Sequence, residues 1–257
     1  MQIHSTAVIS PNARIGANCR VGPYTIIGDE VVLGEGVQIH GNSVIDGRTK
    51  IGDETEIFPF VSIGLPPQDL KFAGEASQTE IGRRNRIREF VTIHRGTLGG
   101  GGITKTGDDC FIMAQAHIAH DCLVGDQVIM ANAATLAGHV MVADGANIGA
   151  YSGVHQFCRV GREAYIGGYS VVVKDALPFA LTVGNHAKCY GLNKVGVRRR
   201  GYSRETIAAL HHAFHLLLSA KLNTTQALDR IRDEIKDSEQ VKELVEFVES
   251  SKRGVVK

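Results

Sequence analysis

The chain has almost no excess of either charge: 28 Lys and Arg stand against 27 Asp and Glu, a net charge of +1 over 257 residues. Such a balance produces no global field that demands a nucleic acid or a membrane surface. There is no long hydrophobic run either. The longest apolar stretch, around Leu216–Ala220, is far too short to cross a bilayer. The polar opening Met1–Thr6 predicts no secretory signal. Five cysteines make an odd count with no paired spacing, which argues against a disulfide framework or a cysteine metal site. These absences predict a reduced, cytoplasmic protein, long enough for one elongated domain and a small appendage.

What the sequence does have is a period. An aliphatic residue recurs every sixth position at Ile9, Ile15, Val21, Ile27, Leu33, Ile39, Ile45, Ile51, Ile57 and Ile63, and again at Ile81, Ile87 and Ile93. It resumes one residue out of phase from Ile112 through Ile118, Val124, Met130, Leu136, Val142, Ile148, Val154, Val160 and Ile166 to Val172, with Thr106 filling the slot before Ile112. A sustained period of six fits neither a helix nor a single strand, and it is the signature of hexapeptide repeats wound into a parallel β-helix. Two residues before each aliphatic position stands a small or β-branched side chain such as Ala7, Cys19, Thr25, Val31, Cys110, Cys122 or Cys158. Alternate strand residues share a face, so both slots point into a narrow core, and packing accounts for four of the cysteines. Glycine often follows the aliphatic residue (Gly16, Gly22, Gly28, Gly125, Gly149), as expected if the corner needs a positive φ. Three hexads per coil place residues about 18 apart on top of one another, ~4.8 Å between coils.

The period fails in two internal segments and at the end. Leu65–Gln78 puts Asp69 and Glu75 on aliphatic slots and reads as an ejected loop. Gly96–Thr104, with Gly99–Gly102, is a second; it lacks the Gly-Lys-Ser/Thr ending and following helix of a phosphate loop. Loops this long in a repeat array are more often functional than ornamental. After Pro178 the hexads stop, and from Ser203, a predicted N-cap, the pattern turns helical, with Ile207, Leu210, Phe214 and Leu217 on one face. Helices are also predicted over 225–235 and 238–251. The predicted fold is mostly β: a left-handed parallel β-helix over residues 1–190, with loops at about 65–78 and 96–104, and a small helical C-terminal domain over 191–257.

Chemistry gathers on histidine. By the stacking rule His120, His139 and His155 approach one corner on three successive coils, and His117 lies on the coil of His120. Imidazoles from adjacent coils can converge on zinc, or one can act as a general base near neutral pH. Asp121, next to His120, would orient such a base. Spacing alone does not choose between them.

The runs His117–Cys122, Thr92–Gly96, Gln68–Lys71, Ala134–His139, Val154–Phe157, Gly184–Ala187 and Arg199–Arg204 together resemble, nearly end to end, the cytoplasmic UDP-N-acetylglucosamine O-acyltransferases that open lipid A synthesis in Gram-negative bacteria. The resemblance implies a homotrimer, with active sites in clefts between neighbouring β-helices and no cofactor or metal. It implies that (R)-3-hydroxyacyl acyl carrier protein is the donor and UDP-N-acetylglucosamine the acceptor, with no nucleic acid and no membrane insertion. His120 would take the proton of the glucosamine 3-hydroxyl, Asp121 would hold His120, and the Gly138 N–H would serve the oxyanion. Asp69, Lys71, His117, His139, His155 and Gln156 match residues that position the sugar nucleotide. His186, Asn193, Arg199 and Arg200 match positions near the nucleotide or acyl chain, and Gly168 falls where acyl length is set. Val195 stands where the family pattern expects a carboxylate.

The basic cluster Lys194, Arg198, Arg199, Arg200 and Arg204 precedes the helix predicted from Ser203. Cations there oppose the helix dipole, which suggests that a diphosphate or an acidic carrier protein binds them. Three other readings compete: a zinc enzyme of the γ-carbonic-anhydrase type, a non-catalytic scaffold, and a related transferase using a 3-amino sugar nucleotide. The N-acyltransferase of the same pathway would carry an extra N-terminal domain, whereas hexads here begin near residue 7.

Overall fold

The computed structural model describes residues 1–257. Each hexad forms a strand of two to four residues and a turn, and three hexads close one triangular coil of a left-handed parallel β-helix. The coils build three sheets of 11, 9 and 8 strands. In register, the first stacks Val21, Ile39, Ile57 and Ile87, the second Ile27, Ile45, Ile63 and Ile93, and the third Ile15, Leu33, Ile51 and Ile81. The inward slots hold the core as the pattern requires: Ile45, Ile63, Ile93, Ile118 and Leu136 are fully buried, with Cys19, Cys110, Cys122 and Cys158 between them as free thiols. Each fully buried aliphatic side chain contributes roughly 1.5–3 kcal/mol.

The register steps by 18 residues from Ile27 to Ile45, but by 30 from Ile63 to Ile93 and 25 from Ile93 to Ile118. The extra residues leave the coil between the strands Ser62–Leu65 and Gln78–Ile81, and between Thr92–His94 and Ile103–Thr106. Both loops therefore emerge at the same corner, where the second sheet gives way to the third, on adjacent coils.

Glycine's role at the corners differs from the expectation. The glycines that follow the aliphatic residue, apart from Gly64, do not have positive φ. The left-handed conformation falls two residues later, at Asn18, Tyr24, Glu54, Asp121, His139 and Phe157 among others. Glycine is used because the coils touch there: a Cβ on Gly16 would lie 2.4 Å from the Gly34 carbonyl oxygen, and one on Gly149 would lie 2.5 Å from the Gly168 nitrogen.

The β-structure runs on past Pro178. Ala180–Val183 adds to the first sheet and Lys188–Leu192 pairs with it antiparallel. Four helices follow: α1 (Lys194–Arg199), α2 (Arg204–Leu218), α3 (Thr224–Glu234) and α4 (Glu239–Glu249). The Ser203 side chain caps α2 by accepting from the Thr206 N–H, as predicted, a contact worth about 1 kcal/mol. Leu210, Phe214 and Leu217 pack with Val241, Leu244 and Val245 and with Leu177 and Phe179 of the last coil. Helix α1 is absent from the sequence reading and revises the electrostatics. Arg198 and Arg199 occupy its last turn, where cations complement the dipole; only Arg204 sits at the start of α2. Lys194, the first residue of α1, and Arg204 keep the unfavourable placement at a helix start, so the predicted clash is removed for Arg198 and Arg199 but not for Lys194 or Arg204.

The tail returns to the β-helix. Val255 bridges Asp175, and the buried Asp175 carboxylate accepts from the Arg159 N–H and Nε–H and from the Ser251 hydroxyl.

Candidate active site

The turn that joins the second sheet to the third spans three positions, and coils stack these into three columns. Ala119, Ala137 and His155 form the first, His120, Gly138 and Gln156 the second, Asp121, His139 and Phe157 the third. The three histidines thus share a corner but not a column. Because each column faces differently, only His120 and His139 meet, edge to face at 5.1 Å between ring centroids.

Asp121 organises the site. Its side chain is fully buried and accepts at Oδ2 from His120 Nδ1–H at 2.8 Å. Thr97 donates its N–H to Oδ1 at 2.8 Å and its hydroxyl to Oδ2 at 2.6 Å. The Asp121 N–H is held by Thr104 Oγ1 at 2.8 Å. Since Nδ1 carries the proton that the carboxylate accepts, the Nε2 of a neutral His120 is left with a free lone pair. His120 is 14% exposed, enough to reach a bound hydroxyl.

Gly138 lies against that nitrogen. A Cβ there would sit 2.6 Å from His120 Cε1 and 2.7 Å from Nε2. Its N–H makes no hydrogen bond within the protein. The contrast with another corner gives the reason. There, the equivalent N–H groups of Arg83, Asp108 and Asp126 are each satisfied by an aspartate of the next coil, Asp108, Asp126 and Asp144. Gln156 stands in that place above Gly138 and makes no such bond, which leaves a free donor beside His120 Nε2.

His139 stacks on Phe157 at 4.4 Å, and its Nδ1 lies 3.8 Å from Asp121 Oδ2. Burial lowers its pKa, opposed by the charges of Asp121 and Asp69. Asp69, on the first ejected loop, is thus near enough to be felt, and its Oδ1 accepts from the Lys71 N–H. The Lys71 side chain is exposed. On the adjoining strand His117 Nδ1 pairs with Thr92 Oγ1 at 2.7 Å, and burial, then the charge of His120, lowers its pKa. His155 Nδ1 lies 3.1 Å from the Gln156 carbonyl oxygen and 3.3 Å from an Arg253 guanidinium nitrogen.

The remaining candidates lie at other corners of the same chain. Asn193 caps α1 and lies near the Glu163 carbonyl, and Arg200 donates to Gln127 Oε1 at 2.6 Å; Arg199 adjoins it. Gly168 and the exposed His186 sit where the first sheet passes to the second. A Cβ on Gly168 would approach only Ala150, with the oxygen at 3.3 Å. The sequence reading gave no role to Thr97 or Thr104 in the second loop, to Phe157 at the end of the run Val154–Phe157, or to Arg253, which lies outside any local motif. For Thr97 the available signal was a threonine two residues ahead of the run Gly99–Gly102.

His120, Asp121 and His139 could in principle hold a metal. The hydrogen bonds argue for another use, since His120 Nδ1 and both Asp121 oxygens are already engaged with one another and with Thr97.

A hexapeptide β-helix with a histidine–aspartate pair beside a free N–H defines a class, the hexapeptide-repeat transferases. The profile of bacterial transferase hexapeptides (six repeats) matches residues 103–138. That of the second domain of UDP-N-acetylglucosamine O-acyltransferase matches residues 175–256. The chain is 48% identical over 256 residues to the acyl-[acyl-carrier-protein]--UDP-N-acetylglucosamine O-acyltransferase of Myxococcus xanthus, covering 100% of this chain and 99% of that one. The structure superposes on LpxA of Acinetobacter baumannii with a TM-score of 0.97 at 42% identity, covering both chains fully. It superposes on the UDP-N-acetylglucosamine acyltransferase of Bacteroides fragilis with a TM-score of 0.97 at 39% identity, over 99% of each chain. The chain belongs to the UDP-N-acetylglucosamine O-acyltransferase family.

Proposed function

We propose that this enzyme transfers an (R)-3-hydroxyacyl group from acyl carrier protein to the glucosamine 3-hydroxyl of UDP-N-acetylglucosamine, the first step of lipid A biosynthesis. The observation that carries the chemistry is the free Nε2 of His120, fixed by Asp121, beside the unpaired Gly138 N–H. The identities on either side of the reaction come from the full-length relatives. His120 Nε2 takes the hydroxyl proton as the sugar oxygen attacks the thioester carbonyl. A C–O bond forms, and the charge on the carbonyl oxygen is met by the Gly138 N–H. The C–S bond then breaks, and the carrier thiolate receives the proton back from His120. Asp121 stabilises the imidazolium between these transfers.

Asp69, Lys71, His117, His139, His155 and Gln156 surround this corner and position the sugar nucleotide. His186, Asn193, Arg199 and Arg200 lie at other corners, so they reach the same ligand only from a neighbouring copy. A homotrimer with clefts between its β-helices supplies that arrangement. Gly168 opens the path of the acyl tail. No helix is long and apolar enough to cross a membrane, and we place the reaction in the cytoplasm, with its carrier protein.

The test is acyl transfer by metal-free protein with a panel of 3-hydroxyacyl carrier proteins, comparing wild type with His120→Ala. The variant should keep its fold and lose about 10²–10⁴ in kcat. Substantial residual turnover would remove His120 from the role of base, and activity that depends on zinc would restore the metalloenzyme reading.

A further inference from the structure

Asp121 Oδ2 faces more donors than it can accept from. Thr97 Oγ1 is 2.6 Å away and His120 Nδ1 2.8 Å, and these fill its two lone pairs; His139 Nδ1 waits at 3.8 Å. Two imidazoles thus flank one carboxylate oxygen, and only one of them is in the role of base. The second ejected loop decides between them. Thr97 begins a short 3-10 turn, Leu98–Gly100, at a position where a threonine hydroxyl normally caps the following N–H groups. It makes no such cap, and its hydroxyl turns instead to Asp121. Gly101 and Gly102, both at positive φ, bring the chain back so that the Gly102 N–H bonds the Thr97 carbonyl. Gly100 then lies directly on the carboxylate, where a Cβ would be 2.0 Å from its carbon.

We propose that Thr97 is a positioning residue for the reaction, holding the Asp121 carboxylate so that it serves His120 and is closed to His139. The inference rests on the general-base reading above. Three glycines of the loop's run, Gly100, Gly101 and Gly102, are accounted for by this closure. It needs two left-handed residues to return and one residue without a side chain to press on Asp121.

Thr97→Val removes the hydroxyl and keeps the shape. It should lower kcat roughly ten- to a hundredfold, the worth of one hydrogen bond to a charged group. The vacated lone pair lets His139 approach. The groups facing His139 are His120, Asp121, Asp69 and the Phe157 ring. Its imidazole titration, followed by NMR on the assembled protein without substrate, should move up in the variant. Thr97→Ser should restore both kcat and the titration. Gly100→Ala should disturb the carboxylate in the same two readouts, whereas Gly99→Ala, whose Cβ meets nothing, should disturb neither. Wild-type kcat with an unmoved His139 titration in Thr97→Val overturns the inference. So does a Ser variant as impaired as the Val one, since the methyl group would then be what matters. If Thr97→Val does not fold, Gly100→Ala against Gly99→Ala decides by the same readouts. An active His120→Ala would refute the base itself, whereas the His139 titration tests the loop without reference to turnover.

Discussion

Replacing Gly138 by alanine is the most quantitative test of the site. The backbone there is outside the positive-φ region, so alanine introduces no conformational strain. The obstacle is His120, whose Nε2 would be 2.7 Å from the new Cβ, while ordinary contact begins at 3.4 Å. The closest ring atom is Cε1, at 2.6 Å, so the ring or the Gly138 backbone must give by about 0.8 Å to restore ordinary contact. The ring cannot yield freely, because its Nδ1 is tied to a carboxylate that Thr97 grips at both oxygens. The Gly138 backbone is held too: the neighbouring His139 N–H bonds the His120 carbonyl at 3.0 Å. A misplacement of the reacting atom by about 1 Å costs on the order of 10²-fold. We therefore expect Gly138→Ala to lower kcat about 10²-fold in steady-state acyl transfer, while the protein stays folded at room temperature and still binds UDP-N-acetylglucosamine in calorimetry. A variant within threefold of wild-type kcat would refute the reasoning. It would mean that the corner relaxes at no catalytic cost, or that His120 Nε2 is not the reacting nitrogen.

Two further expectations follow from burial and open space. His94, 6% exposed and with Nδ1 unpartnered, is pushed down to about 4 by burial first and then by the charges of His117 and His120. The unfolded chain binds this proton near pH 6.5, the folded one only near 4. Stability is therefore fully present above pH 6.5 and lost as pH falls toward 4, on the order of 3 kcal/mol by then. Urea midpoints should fall across that window, and less steeply in His94→Gln; equal slopes would show that His94 does not carry the effect. Gly168→Met, whose side chain would enter space bounded only by Ala150, should shift preference toward shorter acyl chains. Unchanged chain preference would mean that the tail runs elsewhere.

The architecture was legible because the repeat is local. Each hexad specifies the same strand and turn, and the inward slots hold Ile, Val, Leu and small residues wherever the coil is regular. Stacking then follows from counting, and it brought His120 and His139 to one corner. Counting was too coarse to resolve the corner itself. A one-residue drift separates three columns with different directions, so His155 faces Gln156 and Arg253 instead of His120. The glycines were found for a reason that proved different, coil-to-coil contact and not backbone conformation. Helix α1 escaped because six residues carrying Gly196 and three cations show no apolar period.

By itself, then, the sequence determined the β-helix, the two loops, the helical end and the dyad His120–Asp121, since each is written in neighbours or in a fixed step along the chain. Only the tertiary structure decided how the dyad is held. Thr97 reaches Asp121 across 24 residues, through a loop with no period, and its path is set by what it packs on. The free N–H of Gly138 was likewise decided in space, by what the next coil fails to offer it. Within one chain Asn193, Arg199 and Arg200 are also kept apart from His120, because their corner is fixed by the docking of α1 on the β-helix and not by any repeat.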